Sequence, residues 1–565
     1  MSEATETNEA TAETGTAAET STAAETSTAA ESGAAAGSGT TRAPEDEAAT
    51  PLRLPARAAR ALVLAAVFTC AACGLVYELA LVALGSYLVG NSVTQASIVL
   101  SVMVFAMGVG SLAAKPLQSR PIVAFAVIEG ALALMGGLSV LLLYAAFAWL
   151  GLYVPALVVV AFLVGALIGA EIPLLMTLLQ RIRRQDAGSA VADLFAADYV
   201  GALIGGLAFP FLLLPIFGHI KGALLVGVIN AVAGIAVVLW LFRHQLGRAA
   251  RAGLWAGMAA VLAVLIGTYA LADGFELSAR QALYRDPIAL SERTAYQEIV
   301  ITRKVALSGR PDLRLFLNGD LQFSSVDEYR YHESLVHPAL SGARGRVLVL
   351  GGGDGLALRE VLRYKDVRSA TLVELDPEMT RLARSYKEIA ELNENSFADP
   401  RARTINADAF SWLRGQTERF DSVIVDMPDP DDVATAKLYS VEFYGLVKRL
   451  LAPGGRMVVQ SGSPYFAPKS FWCIEKTIRA AGFATSPYHV DVPSFGDWGY
   501  VLAEPGAARP ELTLAPEATG LRFLDADVLR AATVFARDIR HRDVEINTLV
   551  HPRLVQYEGG EWKNA

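Results

Sequence analysis

Arg346 to Pro377 read RVLVLGGGDGLALREVLRYKDVRSATLVELDP, and this stretch decides the fold of the 565-residue chain. Val347 to Leu350 are an unbroken apolar run, as a strand buried on both faces requires. Gly351, Gly352 and Gly353 follow, where the backbone can turn tightly and approach a ligand because no Cβ intervenes. The pattern then predicts a helix from about Leu356 and a second strand ending at Glu374. An acid about 20 residues past a glycine loop is where a nucleoside-binding sheet grips ribose hydroxyls. Asp354 is the misfit, because its charge would repel a pyrophosphate at the helix N-terminus. The expected ligand is therefore a nucleoside that carries positive charge.

Outward from this stretch, strand and helix patterns alternate as in a doubly wound parallel sheet. The later strands are ARTIN, DSVIVD, RMVVQS and a pair near Tyr488 and Tyr500, with helices around 439–451 and 468–481. Upstream, YQEIVITR and LRLFLNGDLQFSS read as strands, with Asn318-Gly319 as a hairpin turn. A helix is expected through VDEYRYHESLVHPAL, Asp327 to Leu340. The last stretch, 506–565, is polar and mixed, and no chemistry is legible in it.

Composition sets the rest apart. Hydrophobic residues make up 53% of the chain and mean hydropathy is +0.37, too apolar for a soluble enzyme. The formal charge of −8 includes no basic tract, so nucleic acid is not an expected partner. Three cysteines exclude a disulfide scaffold. Cys70 and Cys73 form a CxxC inside an apolar run, with no histidine or second pair beside it. They read as small helix-packing residues, and Cys473 as a core residue.

The N-terminal tract of Ala, Thr, Glu, Ser and Gly has almost no large apolar side chains to offset chain entropy. It is expected to be a disordered acidic tail. From about Arg60 to Ala272 the sequence is nearly continuous hydrophobic material. Seven candidate spans, at about 60–82, 95–115, 121–146, 152–180, 194–217, 221–243 and 252–272, are each long enough to cross a bilayer. Gly- and Ala-rich segments such as AMGVGSLAA and GALIGGLAF would let helix backbones pack closely in lipid. Basic residues stand before the first span and after the second, fourth and sixth. The positive-inside rule then puts the N-terminus in the cytoplasm and everything after Ala272 outside. A cytoplasmic C-terminal half would need one candidate span to be re-entrant or split, so its side is open at this point.

Glu78, Glu129, Glu171 and Asp198 fall inside the apolar runs with no Lys or Arg well inside a span to pair them. Such acids are protonated, face an aqueous cavity or hold a cation. The alternative is that they sit near helix ends and reach interfacial water.

The candidate site follows from strand ends. Asp408, in NADAF after the third strand, is placed to accept from an adenine amino group. Asp426 and Asp429, in DMPDP after the fourth, lie at the carboxyl edge of the sheet where such folds bind ligands. With Asp354 they would converge on one cleft. A lone carboxylate at a strand end is most often a helix cap, and three at successive loops are harder to explain that way.

YQEIVI, the NGDLQ hairpin, DEYRYHESLVHPAL, LVLGGGDG, LVELDP, NADAF and FDSVIVDMPDP followed by LYSVEFY occur in one order over about 200 residues. In this the C-terminal half resembles the spermidine synthase (polyamine aminopropyltransferase) family. The apolar half, including GLVYELAL, resembles its membrane-bound bacterial branch. The resemblance implies transfer of an aminopropyl group from decarboxylated S-adenosylmethionine to putrescine or a similar diamine, giving spermidine and methylthioadenosine. It implies donor binding by Gln297, Glu374, Asp408 and Ala409. Tyr331, His332, Asp354 and Asp429 would bind the amine, and Asp426 would accept the proton. Trp498, in SFGDWGYVLA, resembles the family's C-terminal aromatic strand and would wall the pocket or simply pack in the core. Val433 stands where the family has a proline, and Met427 and Pro428 replace small hydroxyl residues, which bears on nucleoside fit and amine choice. A sulfonium is already a good leaving group, so neither metal nor cofactor is expected beyond the co-substrate. Soluble relatives commonly dimerise, which makes a homodimer the expected assembly.

The expected organisation is a tail (1–52), a multi-span α-helical membrane domain of about seven helices (53–275) and a small β-rich domain (276–342). An α/β Rossmann-like, class I methyltransferase-type domain (343–505) and an extension (506–565) complete it. The expected location is the cell membrane, in contact with lipid. Two other functions fit parts of the pattern. A methyltransferase shares the sheet, but Asp354 would repel the carboxylate of its donor. A membrane polyamine transporter or sensor with a non-catalytic synthase-like domain fits the intramembrane acids.

Overall fold

The computed structural model describes residues 55–89, 92–182, 187–284, 286–305 and 311–561; the expected tail lies outside them. The apolar half forms α1 (Ala56–Val89), α2 (Ser92–Ala113), α3 (Pro121–Ala145), α4 (Tyr153–Ile182), α5 (Ala187–Ala208), α6 (Leu214–Ile235) and α7 (Arg248–Leu283). Among the described residues, six helical segments are long and apolar enough to cross a membrane, by length and composition, where the sequence suggested seven. The difference lies in Val191–Val238, a single run of 48 residues holding α5 and α6. At ~1.5 Å per residue it would span about 72 Å, against a hydrocarbon core of about 30 Å. It is broken at Gly218, whose φ of 69° and ψ of −173° are not helical.

Small residues bring these helices together. A Cβ at Gly201 would stand 2.1 Å from Phe68 O and one at Gly205 2.4 Å from Ala72 O, so α5 packs against α1 in the same direction. On α6, Gly227 meets Ala133 and Gly234 meets Glu129, the reverse direction to α3. Of the four acids, Glu129 is fully buried and Glu171 is 5% exposed, so these two do not reach interfacial water. Glu78 and Asp198 are half-buried.

The small β-domain is an antiparallel sheet of β1 (Ile288–Arg293), β2 (Glu298–Val305), β3 (Pro311–Leu317) and β4 (Asp320–Ser324), in that order. Its Asn318-Gly319 turn has φ of 52° and 100°, the left-handed pair of a two-residue type I′ hairpin. This sheet rests on the helical half. Tyr87, at the end of α1, stacks on His219 at 5.6 Å and donates to Glu298. Arg293 lies 4.9 Å over the Tyr87 ring, and Arg280 of α7 pairs with Glu298 at 3.2 Å.

The main sheet holds β5 (Arg346–Gly351), β6 (Ser369–Glu374), β7 (Ala402–Asn406), β8 (Phe420–Asp426), β9 (Leu451–Gln460), β10 (Phe483–Val492) and β11 (Gly496–Pro505). Their order is β10-β11-β9-β8-β5-β6-β7. β5 to β9 are parallel, whereas β11 runs antiparallel to β9 and to β10. The direction of winding reverses at β5, which opens a crevice at the carboxyl ends of β5 and β8. Alternation along the strands divides the core. Leu348, Leu350, Val423 and Val425 face one layer, and Val347, Val349 and Ile424 the other.

The helices around it are α8 (Glu328–Val336), α9 (Leu356–Leu362), α10 (Pro377–Ser385), α11 (Lys387–Leu392), α12 (Ala409–Gly415) and α13 (Val433–Ala436). α14 (Val441–Leu450), α15 (Pro468–Ala480), α16 (Ala526–Ala531) and α17 (Arg553–Glu561) follow. The helix expected over 327–340 ends at Val336, because Pro338 has no N–H to continue the ladder; a 3-10 turn, Ala339–Ser341, completes the stretch. The extension after 505 is built into both core layers, through Phe535, Ile539, Val544 and Leu554 on one side and Leu524, Leu529 and Ala532 on the other.

Candidate active site

The three loop glycines give two carboxylates access to the backbone. A Cβ on Gly352 would lie 2.9 Å from Asp426 Oδ2, and one on Gly353 would lie 2.7 Å from Glu374 Oε2. Gly351 has φ of 82° and a Cβ there would be 2.0 Å from Asp426 O. Gly352 N–H donates to that same carbonyl at 3.1 Å. The ends of β5, β6 and β8 thus converge on one loop, with Glu374 on one side and Asp426 on the other.

Asp426 Oδ1 accepts from the Tyr331 hydroxyl at 2.7 Å. Burial and the nearby Asp354 push its pKa up to about 6, although His332 and the Tyr331 bond act against the rise. Asp354 accepts from the N–H of Leu356, the first residue of α9, at 2.9 Å. Burial raises its pKa as well, against the opposing pull of His332. Glu374 accepts from Asp376 N–H at 2.9 Å, and burial lifts its pKa to about 7.

Tyr331 and His332 come from α8, the helix laid across the crevice. Tyr331 packs among His332, Phe495, Trp498 and Tyr500, with ring centroids 4.9 to 6.5 Å away. Trp498 is 7% exposed, so it belongs to this aromatic wall while being part of the core. His332 Nδ1 lies 3.0 Å from Glu328 Oε2, one helical turn back. Burial disfavours its charge, but Glu328, with Asp354 and Asp426 adding, raises its pKa on balance. Glu328 is held in turn by Arg359, whose Nη1 and Nη2 donate to its two oxygens at 3.0 and 2.9 Å.

Asp429 lies on the loop after β8. Gln460 Nε2 donates to its Oδ1 at 3.2 Å, to Met427 O at 2.6 Å and to the Tyr439 hydroxyl at 2.7 Å. Burial and the charge of Glu558 raise its pKa, with Asp320 and Asp431 adding. The charge of Asp354 therefore acts on Asp426, while Asp429 feels a separate group of acids.

Two expected donor-side residues are engaged with other parts of the chain. Asp408 caps α12 through Ser411 N–H at 2.8 Å, and its other oxygen takes Lys437 Nζ at 2.9 Å. Burial would raise its pKa, but Lys437 and Ser411 bring it below the usual value. Gln297 donates to Asp376 at 3.0 Å rather than to a cleft carboxylate. Ala409 is buried at the first turn of α12. Val433 opens α13, where Asp432 and Thr435 form a capping box. The first helical position favours proline for its fixed φ, and here the reciprocal cap fixes the start instead.

Several residues of the site carried no signal in the reading of strand ends. Glu328 stands four residues before His332, a spacing visible in the sequence, but its partner Arg359 is supplied by another helix. Gln460 ends β9 and is legible as the polar terminus of a core strand. The C-terminal extension was read as chemically silent, yet it braces the site. Glu333 of α8 accepts from the N–H groups of Arg522, Phe523 and Leu524 at 2.7 to 2.9 Å. Asn547, fully buried, donates to Ala436 O and Tyr439 O at 2.8 and 3.2 Å.

Residues 328–511 match the family model described as the spermine/spermidine synthase domain. Polyamine aminopropyltransferase 1 of Streptomyces coelicolor is 66% identical over 508 residues, covering 90% of this chain and 96% of that protein. The polyamine aminopropyltransferase of Mycobacterium tuberculosis (strain ATCC 25618 / H37Rv) is 48% identical over 506 residues, covering 88% and 95%. Among solved structures, a spermidine synthase in complex with the transition state analogue AdoDATO aligns at 26% identity with a TM-score of 0.41. It covers 45% of this chain and 87% of that one.

Proposed function

The chain belongs to the spermine/spermidine synthase family of aminopropyltransferases, and from this we propose that it moves the aminopropyl group of decarboxylated S-adenosylmethionine to putrescine. The observation that carries the reading is a glycine loop, bearing Asp354, that meets Asp426 on one side and Glu374 on the other. Two acids against the loop suit a donor that ends in an ammonium and has no carboxylate there. Glu374 takes the ribose hydroxyls, with Gln297, Asp408 and Ala409 along the donor. Tyr331, His332, Asp354 and Asp429 hold and orient the amines.

In the reaction one amine nitrogen of putrescine attacks the carbon attached to sulfur. The new C–N bond forms as the C–S bond breaks, and methylthioadenosine leaves with the electron pair. An alkylammonium has a reference pKa of about 10.4, so it must lose a proton before attack. Asp426 accepts it as general base, held in position by the Tyr331 hydroxyl. Positioning of the two cations by the remaining acids supplies much of the rate. The sulfonium needs no Lewis acid to leave. A product assay on the purified full chain tests this: methylthioadenosine and spermidine are expected from the decarboxylated donor plus putrescine. Release of nucleoside product only from intact S-adenosylmethionine would overturn it.

We also place the helical half in the cell membrane. Arg57, Arg60, Lys115, Arg120, Arg181, Arg248 and Arg251 lie at the ends of the helices away from the β-domain, which sits on the other ends of α1 and α7. The positive-inside rule puts those residues in the cytoplasm and the catalytic half across the bilayer. A C-terminal alkaline phosphatase fusion is expected to be active and a fluorescent protein fusion dark. The reverse pattern would mean that the need for a cytoplasmic donor overrides the charge rule.

A further inference from the structure

Inside the helical half, four helices bring polar groups to one point where, among the described residues, no basic side chain meets them. Cys70 of α1, Glu129 of α3 and Glu171 of α4 each offer a ligand atom, and these atoms lie within 4.8 Å of one another. Both Glu129 oxygens are buried without a hydrogen-bond partner among the described residues. Asn230 of α6 is likewise fully buried, and neither atom of its amide has a partner. It lies one turn before Gly234 on α6, the helix that packs against Glu129. Gly234 makes room for Glu129, since a Cβ there would lie 3.0 Å from Glu129 Cβ. The packing thus holds a carboxylate and a carboxamide against each other with unused hydrogen-bonding capacity. Unsatisfied groups of this kind in an apolar interior are costly unless something fills them.

A cavity of about 130 Å³ opens from the cluster. Cys70, Glu78, Glu171 and Asp198 line it, together with the apolar side chains of Val67, Leu75 and Leu175. It is too small for the nucleoside donor. Three carboxylates set among apolar side chains match an unbranched alkyl chain that carries ammonium groups.

We propose that the helical half contains a second polyamine site, distinct from the catalytic cleft, in which Glu171, backed by Glu129 and Asn230, takes an ammonium group and the alkyl chain lies toward Glu78 and Asp198. The choice of an amine over a metal ion rests on the aminopropyl-transfer reading and on the apolar walls, which a metal would not use. The site gives the membrane half a ligand of the same class as the enzyme's product.

The test uses the full chain in lipid nanodiscs with labelled spermidine. Wild type is expected to bind at two sites per chain. Glu129→Gln with Glu171→Gln is expected to lose one of them while aminopropyl transfer stays within about twofold, the mark of an intact fold. A second measurement leaves the acids in place. In a Cys73→Ala, Cys473→Ala background, spermidine is expected to slow alkylation of Cys70 at least fivefold. Unchanged stoichiometry in the double variant, or no protection of Cys70 at millimolar spermidine, would overturn the proposal. So would stoichiometric zinc in the wild type that Cys70→Ala abolishes. Transfer without intramembrane binding defeats this inference alone, whereas binding without transfer defeats the catalytic reading and leaves the site standing.

Discussion

Asp426→Asn is expected to lower kcat for spermidine formation by roughly 10²- to 10⁴-fold, the usual contribution of a positioned general base. The amide keeps the size of the carboxylate and still accepts from the Tyr331 hydroxyl, so the donor's KM should hardly change. The pH profile makes the assignment specific. Burial and Asp354 raise the Asp426 pKa to about 6, and only the deprotonated form accepts a proton. Wild-type activity should therefore be present above that value and fall as the pH drops through about 6. The residual activity of Asp426→Asn should lack this acid limb. Asp429, raised by burial and by Glu558, acts on the other side of the reaction. Its protonation weakens amine binding, so Asp429→Asn should appear chiefly as a higher KM for putrescine. If Asp426→Asn kept both its rate and the acid limb, Asp426 would be removed from the mechanism.

How much of this was legible beforehand depends on whether the information is local. β5, the glycine turn, β6 and the Asn318-Gly319 hairpin were readable because strand periodicity and left-handed turns are fixed by neighbouring residues. The ends of β5, β6 and β8 could be placed at one crevice because the order of a doubly wound sheet fixes which strand ends meet. Pairings between distant segments were not readable. Nothing near Arg359 announces that it holds Glu328, and nothing in 506–565 announces that its N–H groups hold Glu333. The apolar runs gave the helices of the membrane half, and the break expected between 217 and 221 falls at Gly218. Asp408 was legible only in part. Its strand-end position was right, yet its oxygens go to a helix cap and to Lys437.

Arg359→Leu is expected to destabilise the catalytic half by about 3–5 kcal/mol, the cost of removing one partner from a buried ion pair. Arg359 is 7% exposed, and it holds two acids that are almost fully buried, Glu328 and Glu360, at 2.9 Å each. Leucine leaves both carboxylates in the core without the guanidinium. For a unit of 150–250 residues the loss corresponds to roughly 6–20 °C in Tm. The pH dependence follows from the acids. Burial alone would raise Glu360, but His337 and Arg359 bring it down to about 2, and Glu328 is lowered in the same way by His332 and Arg359. Carboxylates with depressed values stabilise the fold above their ordinary range and lose that contribution as the pH falls through the folded value. The gap between wild type and Arg359→Leu should therefore be widest near neutrality and narrow in acid, where the orphaned acids protonate. Adding Glu328→Gln should recover part of the loss, because the double variant no longer buries that unpaired charge. The same arginine orients the partner of His332, so kcat should fall even where the variant remains folded. A loss below about 1 kcal/mol, typical of exposed pairs, would show that the network contributes no more than a surface pair. Absence of coupling to Glu328 would show that His332 is positioned by other means.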